Sequence, residues 1–146
     1  MRLFRVTGLL ALMIAPAGAQ VTIGGGGGGG IGTRGGSASS AHAMGFAELK
    51  LPILPAVRFE AVFVNTTGKG TISLVTSGVF EVPTPLVRPY VIAGWGTYGI
   101  EDDGARGGWN VGAGVRTALP TGPGVFAELR RHDHIARDLF TIGIRL

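Results

Sequence analysis

Arg130-Arg131-His132-Asp133-His134 is the stretch of this sequence richest in groups that move protons. A histidine beside a carboxylate can serve as a general base, and Glu128 and Arg130 fall on the strand that leads into it. Base catalysis of acyl transfer also needs a nucleophile, most simply a serine hydroxyl within reach. No serine follows His132, and none lies beyond Ser77; the nearest hydroxyls in sequence belong to Thr121 and Thr141. As a metal site the stretch is equally incomplete, because His132 and His134 are expected to alternate faces if the strand continues. The expectation is a solvated rim loop.

Other candidate chemistry is weaker still. Glu101-Asp102-Asp103 offers oxygen ligands for calcium, but the remaining spacing of a calcium loop is missing. "GWGTYG" (94–99) and "GAG" (112–114) lack the lysine and the strand-loop-helix context of a phosphate-binding loop. Asn65-Thr66-Thr67 matches a glycosylation acceptor and reads as a turn. With no cysteine in the chain, disulfides and zinc-thiolate sites are excluded. The sequence therefore assigns no catalytic, cofactor-binding or metal-ligating residue, and its informative features concern architecture.

The chain opens "MRLFRVTGLLALMIAPAGAQ": a basic start at Arg2 and Arg5, an almost unbroken apolar run from Val6 to Ala15, then Ala17-Gly18-Ala19 before Gln20. This is the layout of a cleavable secretory signal peptide, with an apolar part too short to span a bilayer well. Residues 1–19 are the expected leader and 20–146 a single domain. Without Arg2 and Arg5, 11 of the 13 Lys and Arg face 9 Asp and Glu, a charge near +2. Basic runs and RNA-binding aromatic motifs are lacking, so a nucleic-acid partner is not expected.

Beyond the leader the apolar spacing is two, not 3.6. Val57, Phe59, Ala61 and Phe63 share a face opposite Arg58 and Glu60; Ile72, Leu74, Phe80 and Val82 lie opposite Thr71, Ser73, Ser77 and Glu81. Trp109, Val111, Ala113 and Val115 oppose Asn110, Gly112, Gly114 and Arg116, and Phe140, Ile142, Ile144 and Leu146 oppose Thr141, Gly143 and Arg145. Eight strands are predicted, at 21–32, 41–52, 56–66, 70–82, 87–100, 108–119, 123–132 and 138–146. Most are longer than the ~5–6 residues of a soluble strand and match the ~9–11 of a tilted transmembrane strand. Connections alternate between a proline-rich kind ("PILP", "PTPL", "PTGPG") read as tight, and a polar kind ("TRGGSASS", "NTTGKG", "EDDGARGG", "HDHIARD"). That sorting predicts an up-and-down barrel with all tight turns at one end, which in an outer-membrane barrel is the periplasmic end.

The charged residues Glu48, Lys50, Arg58, Glu60, Arg116, Glu128, Arg130 and Arg145 all fall on the non-apolar faces of their strands. Near-equal arginine and glutamate, with only Lys50 and Lys69 as lysines, suits a packed interior where charges pair. These eight are the expected lumen charge network, inside an eight-stranded bore too narrow for an open pore. Trp95, Tyr98 and Trp109 are read as lipid-interface or lipid-facing aromatics. Gly24 to Gly30 falls within the first strand. If ordered, seven glycines cost on the order of 3–7 kcal/mol relative to alanine, so neighbouring strands must hold them. Bare glycine on the inner face is expected to leave room for the arginines opposite, and this strand is expected to be the least stable of the eight.

From Val21 to Leu146 the chain resembles the small bacterial outer-membrane β-barrels of the OmpA/OmpX-like type. The match rests on the glycine-rich first strand, "VRPYVIAGWGTYGI" (87–100), "GGWNVGAGVRTALPTG" (107–122), "GVFAELRRH" (124–132) and "FTIGIRL" (140–146). The family commonly ends in phenylalanine, part of the signal read by the insertion machinery, where this chain has Leu146. The resemblance implies an all-β, eight-stranded antiparallel transmembrane barrel in the outer membrane of a Gram-negative bacterium, with termini in the periplasm. It also implies contact with lipid and lipopolysaccharide, transient contact with the insertion machinery, a monomeric state and a structural or surface-contact role without catalysis. Two other readings compete: a lipid A-modifying barrel enzyme using His132, and a soluble periplasmic lipocalin-like barrel with an apolar ligand inside.

Overall fold

The computed structural model describes residues 19–33, 39–52, 54–101, 104–117 and 123–146. The expected leader, except Ala19, lies outside the described residues, as do Asp102, Asp103 and Thr121. Eight strands follow in order: β1 (Gln20–Gly32), β2 (Ser39–Lys50), β3 (Ala56–Thr66), β4 (Lys69–Glu81), β5 (Val87–Tyr98), β6 (Arg106–Thr117), β7 (Gly124–His132) and β8 (Arg137–Arg145). Each pairs antiparallel with its sequence neighbours, and β1 pairs with β8 to close the ring. Closure leaves no unpaired edge.

Strands β2 to β8 obey the period of two, while β1 shows no alternation through its glycines. Inward positions such as Arg58, Glu60, Val62 and Val64 are buried, while the alternate Phe59 and Phe63 are exposed. Among the described strand residues, outward positions carry charge only at Arg131 and Asp138, which pair with each other at one rim. Between the rims the outer face is Val, Leu, Ile, Phe, Trp, Ala, Gly, Thr and Pro. A 12-residue strand such as β2 extends roughly 40 Å and, tilted by about 40°, rises about 30 Å. That exceeds the ~25 Å apolar band of an outer-membrane barrel.

The glycine run is paired on both sides. On one side β1 is in register with β2 from Gln20–Lys50 to Ile31–Ser39, and on the other with β8 from Gly24–Arg145 to Gly32–Arg137. Two of its inward glycines, Gly24 and Gly28, make room for rings rather than arginines. A Cβ on Gly24 would sit 2.5 Å from Phe46 Cζ, and one on Gly28 would meet the His42 ring at 3.3 Å. The same device recurs at Gly114, under the Tyr90 ring at 2.6 Å. Aromatic side chains thus cover the glycines of adjacent strands, restoring contact that bare glycine lacks.

The connections differ from expectation in length. Thr67-Gly68 alone joins β3 to β4, with φ of 49° and 85°, so "NTTGKG" is mostly strand with a two-residue turn at its tip. Asn65 Oδ1 accepts from Gly68 N at 3.1 Å and fixes it. The proline-rich connections 51–55 and 82–86 are therefore longer than this polar one. The two ends of the barrel differ in composition, not in a simple alternation of short and long.

Candidate functional site

The middle of the bore is filled by an ion-pair lattice. β3 contributes Arg58 and Glu60, and β7 contributes Glu128 and Arg130. In both strands the two residues are two apart and point inward. β3 and β7 are four strands apart in a ring of eight, so they face each other across the axis. Arg58 Nη1 donates to Glu128 Oε2 at 2.9 Å. Arg130 Nη2 donates to Glu60 Oε1 at 2.9 Å and lies 2.5 Å from Glu128 Oε1. Arg58 also meets Glu60 at 3.6 Å. Two strands with complementary Arg-x-Glu and Glu-x-Arg sequences thus lock over the diameter.

The lattice extends toward the proline-turn end. Arg58 Nε and Nη2 donate to Glu48 Oε2 at 3.0 and 2.9 Å. Arg116 Nη1 donates to Glu48 Oε1 at 2.7 Å and also contacts Glu81. The Tyr90 hydroxyl donates to Glu128 Oε2 at 2.8 Å. The Arg58 guanidinium stacks 4.6 Å from the Phe46 ring centroid. Arg58, Arg116 and Arg130 are balanced by Glu48, Glu60 and Glu128, all buried, with Arg58 only 1% exposed. Such charges persist away from water because each is paired and multiply hydrogen-bonded.

Six of the eight expected lumen residues, Glu48, Arg58, Glu60, Arg116, Glu128 and Arg130, are brought together here. Lys50 is not part of the buried lattice. It is the last residue of β2, its side chain is 47% exposed, and it reaches Glu81 at 3.5 Å from the mouth. Arg145, near the end of β8, is half-buried and, among the described residues, has no carboxylate within ion-pair distance. Glu81 and Arg88 belong to the same mouth. Their positions on the polar faces of β4 and β5 were legible from parity alone.

Toward the other mouth the lining turns neutral. His42 and Thr141 share a hydrogen bond at 2.7 Å, Ser77 Oγ donates to Asn110 Oδ1 at 3.2 Å, and Tyr98 Oη and His132 Nδ1 share one at 3.0 Å. Three expectations are corrected here. Tyr98 is not lipid-facing: it is 1% exposed and points inward, whereas Trp95 and Trp109 point outward. Residues 95 and 98 are three apart on one strand and cannot share a face. His132 is not in a solvated loop, because it is the last inward residue of β7, in phase with Glu128 and Arg130. His132 and His134 do not diverge either: positions two apart share a strand face, and both rings lie 5.8 Å from Tyr98. Among the described residues, no group of three potential metal ligands converges.

The interior combines this arginine–glutamate lattice with buried apolar side chains such as Phe46, Val62, Val64, Val79 and Ile92, so it is not the uniformly apolar lining that a lipocalin-like reading expects. No family model and no curated protein matches the sequence. Among solved structures, the chain is similar to one described as "De novo design of transmembrane beta-barrels", at 16% identity and a TM-score of 0.58, over 85% of this chain and 92% of the other. The protein is an all-β, closed eight-stranded antiparallel barrel whose fold is similar to that of a transmembrane β-barrel.

Proposed function

We propose that this chain is a small integral outer-membrane protein of a Gram-negative bacterium, directed there by the leader at 1–19. In this reading it is a non-enzymatic monomer with a plugged lumen. Its termini and proline turns face the periplasm, its polar loops face outward, and its role is envelope integrity or surface contact. Lipid and lipopolysaccharide surround it, and the insertion machinery handles it during assembly. The supporting observation is the segregation of charge: buried arginine–glutamate pairs inside, and an outer face uncharged between the rims. Lipid solvates the outer face of such a barrel at no cost, while water would leave large exposed apolar surface unsatisfied.

The test is refolding into phospholipid vesicles followed by flotation and a conductance measurement. The reading predicts protein that floats with vesicles after an alkaline wash and adds no stepwise conductance. Protein left in the aqueous fraction contradicts membrane insertion, and discrete open channels contradict the plugged lumen.

A further inference from the structure

Charge is unevenly distributed along the barrel axis. At the polar-loop end, the described strand ends and loops carry Lys69, Arg106, Arg131 and Arg137 against Glu101, Asp133 and Asp138. In the middle, Arg58 and Arg130 balance Glu60 and Glu128. At the proline-turn end stand Lys50, Arg88, Arg116 and Arg145 against Glu48 and Glu81, and the connections 51–55, 82–86 and 118–123 add no charged side chain. Among the described residues the excess is one positive charge at the polar-loop end, none in the middle and two at the proline-turn mouth.

The geometry of that mouth is specific. Arg88 and Arg116 are direct cross-strand partners in the β5–β6 ladder, an arrangement of like charges that is unfavourable on its own. One carboxylate, Glu81, holds them: its oxygens take Arg88 Nη1 at 3.2 Å, Lys50 Nζ at 3.5 Å and the Arg116 guanidinium. Glu81 is thus already shared by three cations. Arg88 Nε is buried and has no hydrogen-bond partner among the described residues, although the side chain as a whole is 32% exposed. Arg145 is in register with Gly24 and Gly124 at the same mouth, a Cβ on Gly124 would meet its Nε at 3.1 Å, and among the described residues it has no carboxylate within ion-pair distance.

We propose that Arg88, Arg145 and Lys50 form a binding site for a phosphate oxyanion at the proline-turn mouth, seated above the Arg116–Glu81 pair. Guanidinium donors match the geometry of phosphate oxygens, and two arginines with free donors at a partly open mouth can each offer a fork. The phosphate is either that of a lipid headgroup lying against the rim or a free inorganic ion. The lipid source rests on the membrane reading above; the free-ion source requires only the folded barrel.

The experiment uses the folded full barrel in zwitterionic micelles, with arginine Nε–H resonances followed by NMR. Inorganic phosphate is titrated in one arm and phosphatidylglycerol is added to the micelles in the other. Saturable shifts of Arg88 and Arg145, without a shift of Arg131, are expected in at least one arm. Arg88→Gln and Arg145→Gln are each expected to weaken binding at least tenfold while the barrel still folds, and Arg131→Gln is expected to leave it unchanged. A response to phosphatidylglycerol alone identifies a headgroup site, and a response to phosphate identifies a free-ion site. No saturable shift in either arm overturns the proposal. So does equal weakening by Arg131→Gln, which would mean diffuse attraction rather than a site.

Discussion

Arg58 and Glu128 meet at 2.9 Å across the full diameter of the barrel, from strands that share no ladder. This contact spans the bore, and it is the structural basis of the plugged lumen proposed above. Removing one partner leaves an uncompensated buried charge, which costs about 3–5 kcal/mol. Arg58→Met and Glu128→Gln are each expected to lower unfolding stability on that scale in urea titrations of the micelle-bound barrel. The double variant is expected to lose less than the sum of the singles, by about 1–3 kcal/mol of coupling. Additivity would show that the pair is not coupled.

The glycine strand makes a prediction of parity. Gly29 faces outward, and a Cβ there would meet only Ser40 O, at 3.7 Å. Gly29→Ala is expected to be neutral or stabilising by about 0.5–1 kcal/mol, because alanine loses less backbone freedom. Gly24 faces inward against Phe46 and Ile144 O, so Gly24→Ala is expected to destabilise by about 1–3 kcal/mol through overpacking. Equal effects at both positions would refute the register.

Leu129 lies mid-strand on the outward face of β7, between Ala113 and Phe140 in the ladders. Leu129→Arg is expected to destabilise the barrel by about 2–4 kcal/mol in a bilayer, the cost of a cation near the midplane. In a soluble barrel the same surface change would stay within about 0.5 kcal/mol. Urea unfolding of vesicle-inserted protein separates the two.

Trp95 and Trp109 are the two tryptophans of the chain, neighbours across the β5–β6 ladder and both pointing outward. Their emission is expected to be quenched by lipids brominated near the headgroup, and less by lipids brominated deep in the chain, because both lie toward the loop-end rim. Quenching by aqueous iodide with no effect of either lipid would contradict this placement.

His132 is buried against Tyr98. His132→Ala is expected to cost about 1–3 kcal/mol by leaving the Tyr98 hydroxyl unpaired. Lipid A composition, read by mass spectrometry of cells expressing the variant, is expected to be unchanged from wild type. A shift in acyl-chain pattern would restore the enzymatic alternative.

Strands β2 to β8 were legible because lipid-like and lumen-like positions alternate with period two, as in "VRFEAVFV" of β3. The same rule placed Arg58, Glu60, Arg116, Glu128 and Arg130 inward. Tyr98 obeys it too: three residues from the outward Trp95, it shares the inward phase of Tyr90 and Ile92. The diametric clasp was harder to read. The complementary Arg58-x-Glu60 and Glu128-x-Arg130 are visible in the sequence, but nothing local says that β3 faces β7. That relation follows only once the number of strands and ring closure are known. Parity also cannot distinguish a buried inward residue from one at the mouth, which is why Lys50 and Arg145 were grouped with the lattice. β1 offers no alternation, and its register is set by the flanking β2 and β8.

The central claim is that this barrel lives in a membrane, and the most direct measurement is its migration in SDS with and without boiling. Closed membrane barrels resist SDS until heated. The account predicts two distinct bands, the unboiled form migrating apart from the boiled one, for protein that needs detergent or lipid to stay in solution. A single band indifferent to boiling, from protein that remains soluble without detergent, would contradict it.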